Sequence, residues 1–311
     1  MELFFIINEH AGNGKGKKIW KKLKKELNIS FSYYKTNKSG HAIILARELA
    51  NTSRPSGKKI LVIAIGGDGT IHEVVNGVIG YDHVYVGAIG AGSGNDYSRG
   101  YFTFQSAQQV NEFLSNEQSF EKFDSGLLNW DNDKQVHFVN NSGIGFDAFV
   151  AEQANQSTIK KRLNKIGLGK FCYVYFVLLG LFTFKLFSIT VEQNGVRRKY
   201  EKVWFATISN QPYFGGGMKI SPKSDPKDGR FELTIVYDLS RIKLLFMFIT
   251  VFFGSHTRLR EVIQENSDQF TLYINDELPC HTDGEIIGTT KKGSRIQYIV
   301  RQKSWSAVKR K

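Results

Sequence analysis

Residues 60–70 read ILVIAIGGDGT. The apolar run Ile60–Ile65 predicts a strand buried on both faces of a parallel sheet. Gly66-Gly67-Asp68-Gly69-Thr70 breaks that strand at its carboxyl end, the edge where ligands bind in open α/β sheets. Glycines let a backbone approach a bulky ligand, and their N–H groups, with the positive end of a following helix, suit a phosphate. Asp68 fits such a site when Mg²⁺ lies between carboxylate and phosphate. The competing reading is a strand-to-helix turn with Asp68 as its N-cap.

Further segments could join that loop. Gly90–Arg99, GAGSGNDYSR, again sets glycines, a hydroxyl and a carboxylate after a strand. Two such loops on neighbouring strands are far more specific than either alone. Asn8–Gly16, NEHAGNGKG, combines three glycines with Lys15 and suggests a third phosphate-facing loop, although it is neither a Walker A nor a GxGxxG motif. Late in the chain, Asp283-Gly284-Glu285 offers a carboxylate able to take a proton from a substrate hydroxyl. The same residues are those of an ordinary β-turn.

The elements that must position these residues fall in two blocks. Up to about residue 120 the pattern is βαβαβαβ: strands at Leu3–Asn8, Ile29–Lys35, Ile60–Ile65 and Val84–Ile89, with helices at Lys15–Leu27, His41–Ala50 and Thr70–Ile79. That pattern predicts a doubly wound parallel sheet. Beyond Ser125, strand-like segments dominate: Gly126–Trp130, Gln135–Ser142, Ser188–Gln193, Lys202–Ile208, Arg230–Tyr237, Gln269–Ile274 and Arg295–Val300. Turn pairs such as Asn194-Gly195 and Asp228-Gly229 punctuate them. Helices are expected near Phe149–Leu163, Phe171–Phe184 and Arg241–Phe253. The expectation is α/β plus mainly β: a nucleotide-binding α/β domain over 1–125 and a β-rich, antiparallel, β-sandwich-like domain with helical insertions over 126–300. The tail 301–311 would pack back on the first.

Composition narrows the function classes. The 311 residues are 41% hydrophobic, ample for real cores. Cys172 and Cys280 give no disulfide framework and no CxxC pattern, which suits a reducing cytoplasm. The N-terminal apolar run has no basic segment before it and reads as a strand, not a signal peptide. Net charge is +13, clustered in Lys15–Lys25, Lys160–Lys170 and Arg301–Lys311. Such clusters attract a polyanion, either an anionic membrane or a nucleic acid. No nucleic-acid module or aromatic platform accompanies the glycine loops, so no nucleic-acid partner is expected. Phe171–Phe184 and Leu244–Phe253 are uncharged but shorter than the roughly 20 residues a bilayer span needs. They read as buried helices, or as helices whose aromatic side faces a lipid–water interface.

GGDGT, an SGND loop about 25 residues later and a late DGE together resemble the bacterial diacylglycerol kinase and lipid kinase family. That family is related to the sphingosine and ceramide kinases, and the resemblance runs over nearly the whole chain. NAD kinases share GGDGT and the two-domain plan but match the SGND and DGE segments less well. The resemblance implies ATP and Mg²⁺, an interdomain cleft, and transfer of the γ-phosphoryl group to a lipid hydroxyl, foremost diacylglycerol. It implies that Asn8, Glu9, His10, Ala11 and Gly12 approach the nucleotide, as does Thr36. Gly66, Gly67, Asp68, Gly69, Thr70 and Glu73 would hold phosphates and metal, and Ser93 and Asn95 would line the same pocket. Asp96 and Asp124 would join Asp68 in a water and Mg²⁺ network. Asp283 would be the proton acceptor with Glu285 beside it, and Asp225, Asp228 and the Arg230 carbonyl would form a structural Mg²⁺ site. Two departures stand out. Asn8-Glu9-His10 replaces the family's Asn-Pro and brings Glu9 towards the phosphates, and Ser93 replaces a threonine. The expected protein is cytoplasmic and peripherally bound to an anionic membrane, with a homodimer open. Another lipid alcohol, NAD kinase activity, a non-catalytic sensor and a basic nucleic-acid binder are the rival readings.

Overall fold

The computed structural model describes residues 1–92, 94, 96–131, 134–156 and 169–309. They form two compact units. The first is Met1–Ser125 with Gly215–Gly217 and Gln302–Lys311, and the second is Gly126–Phe214 with Met218–Arg301.

The first unit runs β1 (Glu2–Ile7), α1 (Ala11–Glu26), β2 (Ser32–Lys35), α2 (His41–Ser53), β3 (Ile60–Gly66), α3 (Asp68–Val78), β4 (Val84–Gly90), α4 (Tyr97–Gly100) and α5 (Ala107–Ser115). β5 (Phe120–Trp130) begins here and passes into the second unit after Ser125. The strands pair in parallel in the order β2-β1-β3-β4. Every residue of β3 is buried, which is why its sequence is an unbroken apolar run with no alternation. β2 is an exposed edge strand of four residues, shorter than the Ile29–Lys35 expected, because only its last residues register against β1. α1 contains left-handed residues at Gly12, Asn13 and Gly14 (φ 56°, 57° and 86°), so its regular part starts at Lys15, as the apolar spacing predicted. Phe5, Trp20, Leu23, Ile63, Phe104 and Val110 belong to the core of this unit.

The second unit contains β6 (Lys134–Phe138), β7 (Asn141–Gly145), α6 (Phe146–Gln156), α7 (Gly169–Thr183), β8 (Phe187–Gln193), β9 (Val196–Ser209), β10 (Phe231–Tyr237) and α8 (Arg241–Thr250). It closes with β11 (Val262–Ser267), β12 (Gln269–Ile274), β13 (Pro279–Thr282), β14 (Glu285–Thr289) and β15 (Ser294–Val308), the last of which ends in the first unit. Pairing within the second unit is antiparallel throughout the described residues. β9 serves two neighbourhoods. Val196–Tyr200 pairs with β8, whereas Phe205–Ser209 lies between β7 and β10. Lys202, with φ 52°, marks the bend, which accommodates the change of partner. Trp204, Phe138, Phe231, Phe270 and Tyr298 are fully buried in its core.

Three expectations need correction. Gln135–Ser142 is not one strand but β6 and β7, interrupted at Val139 and Asn140, whose N–H groups are drawn to a carboxylate described below. Arg241–Phe253 is α8 followed by a short 3-10 turn, Val251–Phe253. The apolar helices α7 and α8 are only half buried: Phe176, Leu181, Leu244 and Met247 join the core, while each helix turns an apolar stripe to solvent. No helix among the described residues is long and apolar enough to cross a membrane. The Phe149–Leu163 helix is described as far as Gln156, and its remainder, with most of the Lys160–Lys170 cluster, lies outside the described residues.

Candidate functional site

In the first unit three loops meet at the carboxyl ends of β1, β3 and β4. Asn8 ends β1, and its Nδ2 donates to Thr70 Oγ1 on α3 (3.0 Å). Its Oδ1 accepts from the His10 N–H (3.1 Å). The Ala91 N–H donates to the Gly66 carbonyl (2.6 Å), stitching the loop after β4 to the end of β3. Backbone meets backbone here. A Cβ on Gly12 would lie 2.1 Å from the Ala91 carbonyl oxygen, and one on Gly92 would lie 2.8 Å from Gly67 Cα. Side chains are therefore excluded at Gly12 and Gly92, and the N-terminus of α3 has no side-chain cap on Gly67. This is a surface of backbone donors suited to an anion.

The acidic groups differ in their attachments. Asp68 Oδ1 accepts from the Tyr97 N–H (3.0 Å). Asp96 accepts from the Gly216 N–H on Oδ2 (2.8 Å) and from Arg99 Nη1 on Oδ1 (3.1 Å). Burial, with a contribution from the Asp68 charge, pushes the Asp96 carboxyl up to about 6, although the Gly216 amide and Arg99 pull the other way. Glu73 lies one turn into α3. Its carboxylate accepts from the Gly40 N–H (2.8 Å) and the Ala42 N–H (2.9 Å), and so caps α2. Glu9 is paired with Lys35 (3.0 Å), which offsets the negative charge that replaced the family's proline. Thr36 is hydrogen-bonded through its N–H to the Ile7 carbonyl (2.9 Å), one strand from Asn8. Asp124 is buried, and its Oδ1 accepts from the Lys303 N–H (2.7 Å). Trp305 donates to its carbonyl (3.1 Å) and packs on Tyr101 and Phe123. Ser93 and Asn95 lie outside the described residues.

In the second unit, Asp283 and Gly284 form the two-residue turn between β13 and β14, with φ 48° and 84°. Positive φ at both positions is the type I′ hairpin signature. The β-turn reading is thus present, but the side chain does more. The Asp283 carboxylate accepts from the N–H groups of Val139 (2.8 Å), Asn140 (2.8 Å) and Asn141 (2.9 Å). This is the interaction that breaks the expected Gln135–Ser142 strand. Glu285 is exposed at the start of β14. Next to Asp283 lies a buried polar cluster that the sequence reading missed. His281 Nε2 and Thr207 Oγ1 both meet Asp147 Oδ2 (3.2 and 2.8 Å), and Phe214 stacks on the His281 ring. Nothing in local spacing marks this cluster, because its members come from separate strands and a helix. Gly215–Gly217, which supplies the amide to Asp96, was missed too, although three consecutive glycines are a visible signal.

No group of three or more His, Cys, Asp or Glu side chains among the described residues converges as a metal site. Asp124 therefore does not complete a protein cluster with Asp68 and Asp96. Asp225 and Asp228 each accept from the N–H two residues on, Lys227 and Arg230 (3.1 and 2.9 Å), as turn carboxylates do. The Asp68 and Asp96 pair does fit Mg²⁺ held in the usual way, by one or two carboxylates plus phosphate oxygens and water. A buried carboxylate raised by desolvation and by a second carboxylate is one that a cation would relieve.

Comparison with known proteins agrees with this arrangement. The family described as "Diacylglycerol kinase catalytic domain" matches residues 2–126. "YegS C-terminal NAD kinase beta sandwich-like domain" matches residues 141–297. The Bacillus subtilis (strain 168) protein named "Putative lipid kinase YtlR" is 35% identical over 293 residues, 92% of this chain and 94% of that one. The chain therefore belongs to the bacterial diacylglycerol kinase and lipid kinase family, and is a kinase-family enzyme acting on an alcohol acceptor. Among solved structures, a diacylglycerol kinase from Bacillus anthracis str. Sterne aligns over 99% of this chain and 97% of its own (TM-score 0.69, 17% identity). Yeast NADH kinase complexed with NADH aligns over 100% and 84% (TM-score 0.55, 10% identity). At these identities the likeness is one of fold.

Proposed function

We propose that this protein transfers the γ-phosphoryl group of ATP to a lipid hydroxyl with Mg²⁺, and that diacylglycerol is the acceptor, giving phosphatidic acid. The observation that carries the reading is the close, glycine-lined meeting of the Asn8, Gly66–Thr70 and Gly90–Gly92 loops, pinned by the Asn8–Thr70 side-chain hydrogen bond, with Asp68 and Asp96 at its edge. Phosphoryl transfer needs positioning and charge neutralisation more than covalent help from the protein. Backbone N–H groups at the start of α3 would bind phosphate oxygens, and Asn8 and Thr70 would fix the loops that present them. When bound, Mg²⁺ would neutralise charge building on the phosphates. Asp283 takes the role of proton acceptor, held rigid by its three amides; Glu285 is the alternative acceptor beside it. The basic clusters of the chain would hold it peripherally at an anionic membrane on the cytoplasmic side.

The test is transfer of label from γ-labelled ATP in mixed micelles containing diacylglycerol, phosphatidylglycerol, a sphingoid base or a polyprenol, with NAD as a soluble acceptor. Label in phosphatidic acid supports the reading whole. Label in another lipid keeps the reaction and changes the acceptor. Label in NADP alone favours the NAD kinase reading that the shared fold keeps open.

A further inference from the structure

The outward faces of α7 and α8 carry large apolar side chains at one and the same spacing. On α7 these are Tyr175, Leu178, Leu179 and Phe182, at i, i+3, i+4 and i+7. On α8 they are Ile242, Leu245, Phe246 and Ile249, again at i, i+3, i+4 and i+7. Leu244 and Met247 point the other way into the core. Each helix is therefore apolar on both sides, which no surface helix of a solvated protein requires. The following turn adds Phe252 and Phe253, the latter 79% exposed.

The two stripes are neighbours. Arg241 Nε, at the start of α8, donates to the Leu181 carbonyl near the end of α7 (2.6 Å). The next residue after each partner is solvent-facing: Phe182 is 77% exposed and Ile242 is 71% exposed. Beneath them the Phe146 ring packs on both Phe184 (5.6 Å) and Phe248 (6.1 Å).

We infer that the exposed faces of α7 and α8 form one surface that seats in the interfacial layer of an anionic lipid bilayer. The rim decides the occupant. Lys185 follows α7, and Lys243, Arg258 and Arg260 border α8; all four are exposed. The acid beside them, Glu261, is shared between Lys243 (3.0 Å) and Arg260 (3.3 Å), so the rim stays cationic. Two copies joined through this face would set cation against cation in a chain of net charge +13. A bilayer bearing anionic headgroups satisfies rim and apolar centre together. The surface rests on the lipid-kinase reading for its purpose, since it would bring the enzyme to a substrate that stays in the membrane.

The experiment uses the full chain without nucleotide or Mg²⁺. The native tryptophans Trp20, Trp130, Trp204 and Trp305 are buried, so an added indole reports its own surroundings. Phe182→Trp and Phe246→Trp are mixed with phosphatidylglycerol/phosphatidylcholine vesicles in which part of the phosphatidylcholine is brominated. Both are expected to shift to the blue and to be quenched about twofold or more, whereas Tyr34→Trp on exposed β2 stays unquenched. The double variant Phe246→Asp/Phe253→Asp is expected to bind vesicles about tenfold more weakly or worse, with unchanged circular dichroism and melting temperature. Vesicle binding without quenching of the indole introduced by Phe182→Trp or by Phe246→Trp would overturn the inference in favour of charge alone. A dimer that the double variant dissociates, with vesicle binding untouched, would overturn it in favour of a second copy. Quenching here, with no phosphoryl transfer to any lipid in the separate labelled-ATP assay, would leave the surface standing and remove the kinase reading; transfer in that assay with no quenching here would do the reverse.

Discussion

Asp96→Asn should abolish a specific pH dependence of stability. In the folded chain burial moves the Asp96 carboxyl from 3.8 up to about 6. Between those values the folded state holds a proton that the unfolded state has released. Stability therefore falls as pH rises through this window and is level outside it. At about 1.4 kcal/mol per pH unit, the fall is about 3 kcal/mol in metal-free protein. Asparagine keeps an acceptor for the Gly216 amide and carries no charge to desolvate, so the fall should vanish. The assay is urea denaturation of both chains in EDTA, from pH 4 to pH 8, read as their difference in stability. The variant should gain on the parent by about 3 kcal/mol across that range; the loss of the Arg99 pair shifts the curve without changing its shape. A difference that is flat with pH would refute the reasoning, because it would mean that Asp96 ionises at its ordinary value despite its burial. With Mg²⁺ present the fall should shrink, since a cation beside Asp68 and Asp96 favours the ionised form and brings the folded value back towards the unfolded one.

Other outcomes follow from the same contacts. Asp283→Ala removes the acceptor of three backbone N–H groups and should cost about 2–4 kcal/mol in denaturant unfolding as well as abolishing phosphoryl transfer; Mg-ATP affinity by calorimetry should change little. Gly12→Ala places a Cβ 2.1 Å from the Ala91 carbonyl oxygen at φ 56°, so it should cost about 1–3 kcal/mol and weaken nucleotide binding in the same calorimetric assay. Glu73→Ala uncaps α2 and should lower stability by about 1–2 kcal/mol, with a smaller effect on the KM for ATP than Asp68→Ala. The buried Cys280 thiol, pushed up to about 12 by desolvation, should resist alkylation in the folded chain and react only on denaturation.

What the sequence revealed follows physical rules. Ile60–Ile65 was legible because a strand buried on both faces leaves no choice but apolar residues. The glycine loops were legible because close backbone approach tolerates nothing larger, as Gly12 and Gly92 show. β11, Val262–Ser267, was missed because its Gln264, Glu265 and Asn266 are engaged in side-chain pairing and mask a strand pattern. β13 and β14 were missed because each is short, four and five residues, although the turn between them was visible in Asp283-Gly284. The resemblance implies a phosphate and metal role for Glu73, but its hydrogen bond to the start of α2, a partner 31 residues away, is one that local spacing cannot disclose. The apolar runs in α7 and α8 gave length and hydrophobicity but not which side faces the core, since both sides are apolar.

The central claim is that the glycine-lined site serves transfer to a lipid rather than to a soluble dinucleotide. One reaction tests it most directly: the full chain with labelled ATP and Mg²⁺, given diacylglycerol micelles and NAD together. The expected result is label in phosphatidic acid, none in NADP, and loss of transfer on adding EDTA. Label in NADP with none in phosphatidic acid, or transfer that survives complete removal of divalent cations, would contradict it.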